Sequence, residues 1–257
     1  MRVKRSTWSL PYLIFLILFV VLPLGLILVY AFLDASGHFT LSNIGKFFQD
    51  KDSLSTFALS IEVAIENTAI CLLVGYPVAW ILTNKKYNSS AVIIVLFILP
   101  MWINALMRTL ATAELFNMLG MRLGKGTLLF GMVYDYLPFM IYPIYNTLQK
   151  MDTSYAEAAE DLGATPWKVF WKITVPLSKP GIVSGIMMVF MPTVSTFAIS
   201  EFLTNNKIKL FGTIIQEKIY ASQWNYGAAL ALIMLLIIGI TSFFTEKDSR
   251  QTEGGVI

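Results

Sequence analysis

Six apolar stretches, at residues 10–33, 58–83, 91–113, 127–149, 181–203 and 226–245, are each long enough to cross a bilayer as a helix. One crossing takes about 20 apolar residues, so a chain of 257 residues with short connections admits six spans but not twelve. No separate soluble domain fits beside them. The composition agrees, with 56% hydrophobic and only 14% charged residues, outside the usual range of soluble domains. The expected architecture is an all-α polytopic membrane protein, one membrane domain over residues 1–257.

The first stretch follows Arg2, Lys4 and Arg5 as a signal peptide would, but it is too long, and Tyr30-Ala31-Phe32-Leu33-Asp34 offers no small-x-small cleavage site. It is read as the first span. An even number of spans puts both termini on one side. Placing the N-terminus in the cytoplasm gathers eleven lysines and arginines there, including the Asn84-Lys85-Lys86-Tyr87 loop, against seven opposite. The expected address is therefore a multi-pass cell membrane protein with cytoplasmic termini.

The net charge of +3 is too small and scattered to suggest a nucleic-acid partner. Cys71 is the only cysteine and His38 the only histidine, which excludes an internal disulfide and a two-thiol metal site and leaves no metal ligand set. Prolines lie inside the spans at Pro23, Pro77, Pro100, Pro138, Pro143 and Pro192. Membrane helices tolerate these as kinks. Polar neighbours at Pro100, Pro138 and Pro192 also suit helices that line a cavity.

Residues 150–180 form a long polar connection on the expected cytoplasmic side. The pattern predicts a helix, a turn and a helix. Ser154 or Thr153 caps the first, with Glu157 at capping-box distance from Ser154, and Gly163 stops it. Thr165 caps the second, Pro166 sits in its first turn, Trp167, Phe170, Trp171 and Val175 give it an apolar face, and Pro176 ends it. Within this segment the residues read Glu157-Ala158-Ala159, three residues, Gly163, nine residues, Ile173, two residues, Pro176. This arrangement resembles the permease subunits of binding-protein-dependent ABC importers at every spacing, with Val175 in place of the usual leucine.

The resemblance implies the type I ABC importer permease fold and makes the loop a cytoplasmic coupling helix seated in a groove of an ATP-hydrolysing subunit. Small Ala158 and Ala159 allow close approach, Gly163 permits the turn, and Glu157 can form charge-assisted hydrogen bonds. Gly124-Lys125-Gly126-Thr127 lacks the first glycine of a phosphate loop, so ATP and Mg belong to a partner chain, and this chain carries no cofactor. The implied partners are a second homologous permease, two copies of the ATPase, an extracytoplasmic substrate-binding protein and membrane lipid. No enzymatic step is expected of this chain.

Similarity is greatest to the spermidine/putrescine branch of that family, through Gly75-Tyr76-Pro77, Leu99-Pro100-Met101-Trp102 with Arg108-Thr109, Leu137-Pro138-Phe139-Met140, and Ser200-Glu201-Phe202-Leu203. The branch usually has aspartate at the position of Glu201. A cationic cargo needs carboxylates and aromatic faces along its route. Asp135, Glu201, Phe202, Trp102 and Tyr142 are the candidates. Helix-packing hydrogen bonds are the competing role for both acids, and interfacial anchoring is the competing role for aromatic residues near span ends. Glu62 and Glu66 share a helix face and are read as packing or headgroup residues. Rival cargoes are ferric iron, phosphate and sulfate. A rival class is an ion-coupled secondary transporter, which would need internal repeats that are not evident.

Overall fold

The computed structural model describes residues 10–34, 36–84 and 92–253. The orientation signals at Arg2, Lys4, Arg5, Lys85 and Lys86 lie outside the described residues. Among the described residues every regular element is helical, apart from one isolated bridge between Leu33 and Phe39.

Four helices are long and apolar enough to cross a membrane: α1 (Pro11–Ala31), α3 (Lys51–Thr83), α6 (Lys125–Lys150) and α12, whose apolar part is Trp224–Phe243. The short α2 (Ser42–Gln49) lies between the first two. Two further helix pairs are long and apolar enough only when taken together across a sharp bend, and the number reaches six if each pair counts as one span. The first joins Ile93–Trp102, here α4, to α5 (Ala105–Met118) with a bend of 95°; the second joins α8 (Pro166–Leu177) to α9 (Lys179–Ser195) with a bend of 63°. The remaining helices are α7 (Ser154–Asp161), α10 (Ala198–Thr204) and α11 (Phe211–Tyr220).

The third apolar stretch is thus not one straight span over 91–113. Pro100 sits in a tight 3-10 turn, Ile103 is extended, and Asn104 restarts the helix by accepting the Leu106 N–H at 2.9 Å. The fifth stretch also divides. Thr196 is extended (φ −68°, ψ 147°), so α9 stops at Ser195 and α10 begins three residues later, at Ala198.

The chain forms two compact units, one of Met1–Ser55 with Ile214–Ile237 and the other of Thr56–Thr213 with Ile238–Ile257. In the first, α1 exposes large apolar side chains on every face, including Tyr12, Phe15 and Phe19, as a helix in hydrocarbon does. The Asp50 carboxylate accepts hydrogen bonds from the Ser53 hydroxyl at 2.8 Å and the Tyr226 hydroxyl at 3.2 Å, and these bonds, that from Ser53 most of all, hold its pKa below the ordinary aspartate value.

The second unit is built around α6. One apolar cluster joins Cys71 and Ala79 of α3, Met140, Ile141 and Ile144 of α6, and Val189 of α9. Another joins Phe116 of α5, Leu128 and Met132 of α6, and Leu203 of α10. Lipid offers no hydrophobic drive for helices to associate, so close backbone approach and internal hydrogen bonds must hold them. Gly181 and Gly185 supply the approach of α9 to α6, and a β-carbon at Gly181 would lie 2.9 Å from the Pro143 carbonyl. Hydrogen bonds cross the same unit from Asn67 to Thr193 at 2.8 Å and from the Phe211 N–H to Ser60 at 2.7 Å. Every buried polar group that meets a partner this way avoids a cost water cannot relieve in the bilayer.

Candidate functional site

The connection between α6 and α9 folds as the helix, turn and helix read from the sequence. Gly163 has φ +80°, and the chain closes there with the Gly163 N–H bonded to the Glu160 carbonyl at 2.8 Å and the Ala164 N–H to the Ala159 carbonyl at 3.0 Å. That pair of bonds is the Schellman closure, which satisfies the last carbonyls of α7 and requires a left-handed residue at the glycine.

Two details differ from the sequence expectation. Neither Thr153 nor Ser154 caps α7 with its side chain; Asp152 accepts the Ser154 N–H at 2.9 Å and takes that role. Its carboxyl is held below the ordinary aspartate value by this bond. Nor does Pro176 end the second helix. Proline cannot donate to the preceding turn, and α8 accommodates it by widening into a π turn over Phe170–Thr174, in which the Val175 N–H reaches the Phe170 carbonyl. The helix continues to Leu177 and breaks at Ser178.

The motif residues take different positions. Glu157, Ala158, Gly163 and Pro176 are exposed, whereas Ala159 and Ile173 are half-buried. The apolar face of α8 is split as well. Trp167 and Trp171 are exposed, and Phe170 turns inward to meet the rings of Tyr76 and Trp80 edge-on, each at 5.8 Å between centroids. The Tyr76 hydroxyl and Ser178 hydroxyl lie 2.9 Å apart. Displacing α8 therefore pulls on α3 at an aromatic contact and a hydrogen bond.

The candidate cargo residues do not form one cluster. Asp135 is buried in α6, where Arg108 Nε of α5 lies 3.2 Å from its Oδ1 and Thr109 Oγ1 lies 3.0 Å from its Oδ2. Arg108 Nη2 also donates to the backbone carbonyl of Asp135 at 3.4 Å, and its guanidinium stands over the Tyr134 ring at 5.7 Å. Glu201 is half-buried in α10, and no hydrogen bond or ion pair reaches its carboxylate among the described residues. Phe202 packs at the edge of the second apolar cluster. Trp102 is 87% exposed and Tyr142 is 41% exposed. Glu62 and Glu66 share a partner, the Lys125 ammonium, at 2.7 and 2.9 Å. Among the described residues no group of three or more His, Cys, Asp or Glu side chains is placed to hold a metal ion.

Arg108 is the functional candidate that reading the sequence passed over. It was legible there: no other lysine or arginine falls inside any of the six apolar stretches. A lone cation in a span calls for an acid in a neighbouring span.

A helical membrane unit with broken spans and an exposed Glu-Ala-Ala helix closed by glycine defines a permease-type transport subunit. The chain belongs to the family described as the binding-protein-dependent transport system inner membrane component, which it matches over residues 2–247. It is 32% identical to the spermidine/putrescine transport system permease protein PotB of Escherichia coli, over 91% of this chain and 94% of that protein. It is 29% identical to the PotB of Haemophilus influenzae, over 91% of this chain and 90% of that protein.

Solved structures share the fold. A bacterial ABC transporter involved in the import of the acidic polysaccharide alginate matches with a TM-score of 0.69 at 15% identity, covering 96% of this chain and 94% of that one. The MetNI methionine ABC transporter in inward-facing conformations matches with a TM-score of 0.61 at 16% identity, covering 77% of this chain and 95% of that one. The fold is that of the type I ABC importer permeases. The chain is a multi-pass membrane transport component, not an enzyme.

Proposed function

We propose that this chain is the membrane-spanning permease of a polyamine importer, works by alternating access, and takes its power stroke from a separate ATPase. The observation that carries the cargo is its 32% identity, over 91% of its length, to a permease of spermidine and putrescine transport. The chemistry of the chain suits a cationic cargo, with acids at Asp135 and Glu201 and aromatic surface at Trp102, Tyr142 and Phe202. We read residues 1–257 as one membrane domain with cytoplasmic termini, six crossings and a coupling loop at 150–180.

In this reading Glu157, Ala158, Ala159 and Gly163 meet the ATPase, while Ile173 and Pro176 set the shape of α8. The exposed Glu157 and Ala158 favour that role, as does Leu162 beside them at 90% exposure. Phe170 passes the motion to Tyr76 and Trp80. ATP and Mg are held by two copies of the ATPase. A second permease and an extracytoplasmic binding protein complete the machine; a similar permease, PotC of Shigella flexneri, is 25% identical over 76% of this chain.

The test is ATP turnover by the reconstituted complex in liposomes. Turnover rises when the binding protein carries spermidine or putrescine and stays basal when it carries ferric iron, phosphate or sulfate. The opposite pattern rejects the cargo. Uptake by this chain alone, driven by an ion gradient, rejects the class.

A further inference from the structure

The ion pair of Arg108 and Asp135 is more deeply buried than its bonding explains. The two side chains are 5% and 2% exposed, yet Arg108 Nε and Nη1 and Asp135 Oδ1 are buried without a hydrogen-bond partner. The 3.2 Å approach of Nε to Oδ1 is a charge contact whose geometry is off-line. Buried charges kept for packing are ordinarily hydrogen-bonded at every polar atom, because an unmet one is costly in a low-dielectric interior. This pair is neutralised but loosely held.

The groups around the guanidinium are a carboxylate, a backbone carbonyl and the face of Tyr134, and the Thr109 hydroxyl donates to that same carboxylate. Those are partners an alkylammonium takes when it leaves water: opposite charge, a neutral acceptor and an aromatic ring. Depth agrees. Asp135 lies ten residues into α6, about 15 Å from its start, which places it well inside the hydrocarbon. Mobility is also present. Arg108 is in the first turn of α5, and its N–H bonds to the carbonyl of Asn104, at the 95° break. A rotation of α5 about that break withdraws the guanidinium without unfolding a helix.

We infer that Arg108 is a resident cation occupying a transit site for a primary ammonium group, and that cargo and guanidinium exchange on Asp135 as α5 moves. The exchange keeps the buried carboxylate neutralised throughout, with no proton transferred and no charge left alone. Arg108 thereby fills the path when cargo is absent. This inference rests on the cationic-cargo reading above, and it makes Asp135 a site shared in time.

The experiment uses the full complex in detergent and follows, by mass spectrometry of this chain, labelling of Cys71, its one thiol, which is fully buried and reacts on unfolding. Arg108→Gln leaves Asp135 without its cation, so methylammonium or spermidine raises the unfolding temperature of this variant by about 5 °C at roughly one hundred times the dissociation constant. Wild-type protein, already filled, shifts far less. Adding Asp135→Asn to the variant abolishes the shift, and sodium chloride at equal ionic strength produces none. Should Arg108→Gln not assemble, Arg108→Met, which likewise leaves Asp135 without its cation, takes its place and shows the same shift. Absence of any amine-specific shift in whichever variant assembles, or its survival in the Asp135→Asn background, overturns the exchange. The methylammonium arm decides the site, whereas stimulation of wild-type turnover by spermidine decides the cargo, so the two failures are separable.

Discussion

Replacing Gly181 or Gly185 by alanine tests whether close approach of α9 to α6 sets the stability of the second unit. At Gly181 the new β-carbon would lie 2.5 Å from Thr147 Oγ1, 2.8 Å from Thr147 Cβ and 2.9 Å from the Pro143 carbonyl oxygen. The hydroxyl can rotate away, at the loss of its 3.0 Å bond to that same carbonyl. The carbonyl and the Thr147 β-carbon cannot, because both are fixed to the backbone of α6. The helices must therefore part by roughly half an ångström, enough to forfeit about a quarter of the dispersion well at contacts near the crossing. Gly185 is similar, with the Met140 carbonyl at 3.2 Å and the flexible Met140 sulfur at 2.7 Å. The expected cost is about 1–3 kcal/mol for Gly181→Ala and toward the low end of that range for Gly185→Ala. That corresponds to a fall of about 3–10 °C in unfolding temperature. Thiol labelling of Cys71 is the assay, since Cys71 belongs to the same cluster as Met140. Gly126→Ala is the control, because nothing lies within 4 Å of its added carbon. Equal labelling temperatures for Gly181→Ala and Gly126→Ala would refute the argument.

Arg108→Leu or Asp135→Leu alone should cost about 3–5 kcal/mol by stranding a buried charge, while the double substitution should recover most of it, read by the same labelling. In the double variant the fold is kept and amine-dependent stabilisation is lost. Gly163→Ala forces a side chain into φ +80°, at about 1–2 kcal/mol, so ATPase stimulation should fall with little change in the labelling temperature. For Asp152, the bond from Ser154 lowers the folded carboxyl value below its ordinary 3.8, so the cap is complete above that value and is lost as pH falls through the lower folded one. Protection of the α7 amides against exchange should therefore hold steady from neutral pH to about pH 5, and Asp152→Ala should weaken it throughout.

Apolar length made the helical membrane class legible, because about 20 apolar residues have few other uses. Breaks were harder to read. Pro100 and Pro192 both lie inside apolar stretches, yet α4 stops just beyond Pro100, whereas α9 runs through Pro192 to end at Ser195. A proline removes one donor but does not fix where the chain turns; Asn104 and Thr196 do that, through a cap and an extended conformation. Pro176 makes the same point, since a π turn absorbed it. Gly163 was legible because only a left-handed position explains a glycine between two helical patterns. The inward turn of Phe170 was not, because its partners Tyr76 and Trp80 lie some ninety residues away.

The intramembrane acids show why charge type alone cannot assign a role. Glu62 and Glu66 are one helical turn apart, and together they hold the Lys125 ammonium at the start of α6. Two carboxylates around one ammonium leave a net negative charge there, partly exposed, where salt and water screen it. Asp135 is neutralised by Arg108 in a site that water does not reach. Glu201 keeps its carboxylate half-buried with no partner among the described residues. A transported cation can therefore meet Glu201 without displacing anything, but it reaches Asp135 only by replacing Arg108. If both lie on one route, removing the Glu201 charge should weaken capture of cargo, and removing Asp135 should slow its passage. In transport kinetics Glu201→Gln would then raise the half-saturating concentration of loaded binding protein, while Asp135→Asn would lower the maximal rate. Identical effects from the two substitutions would mean that they do not act in sequence.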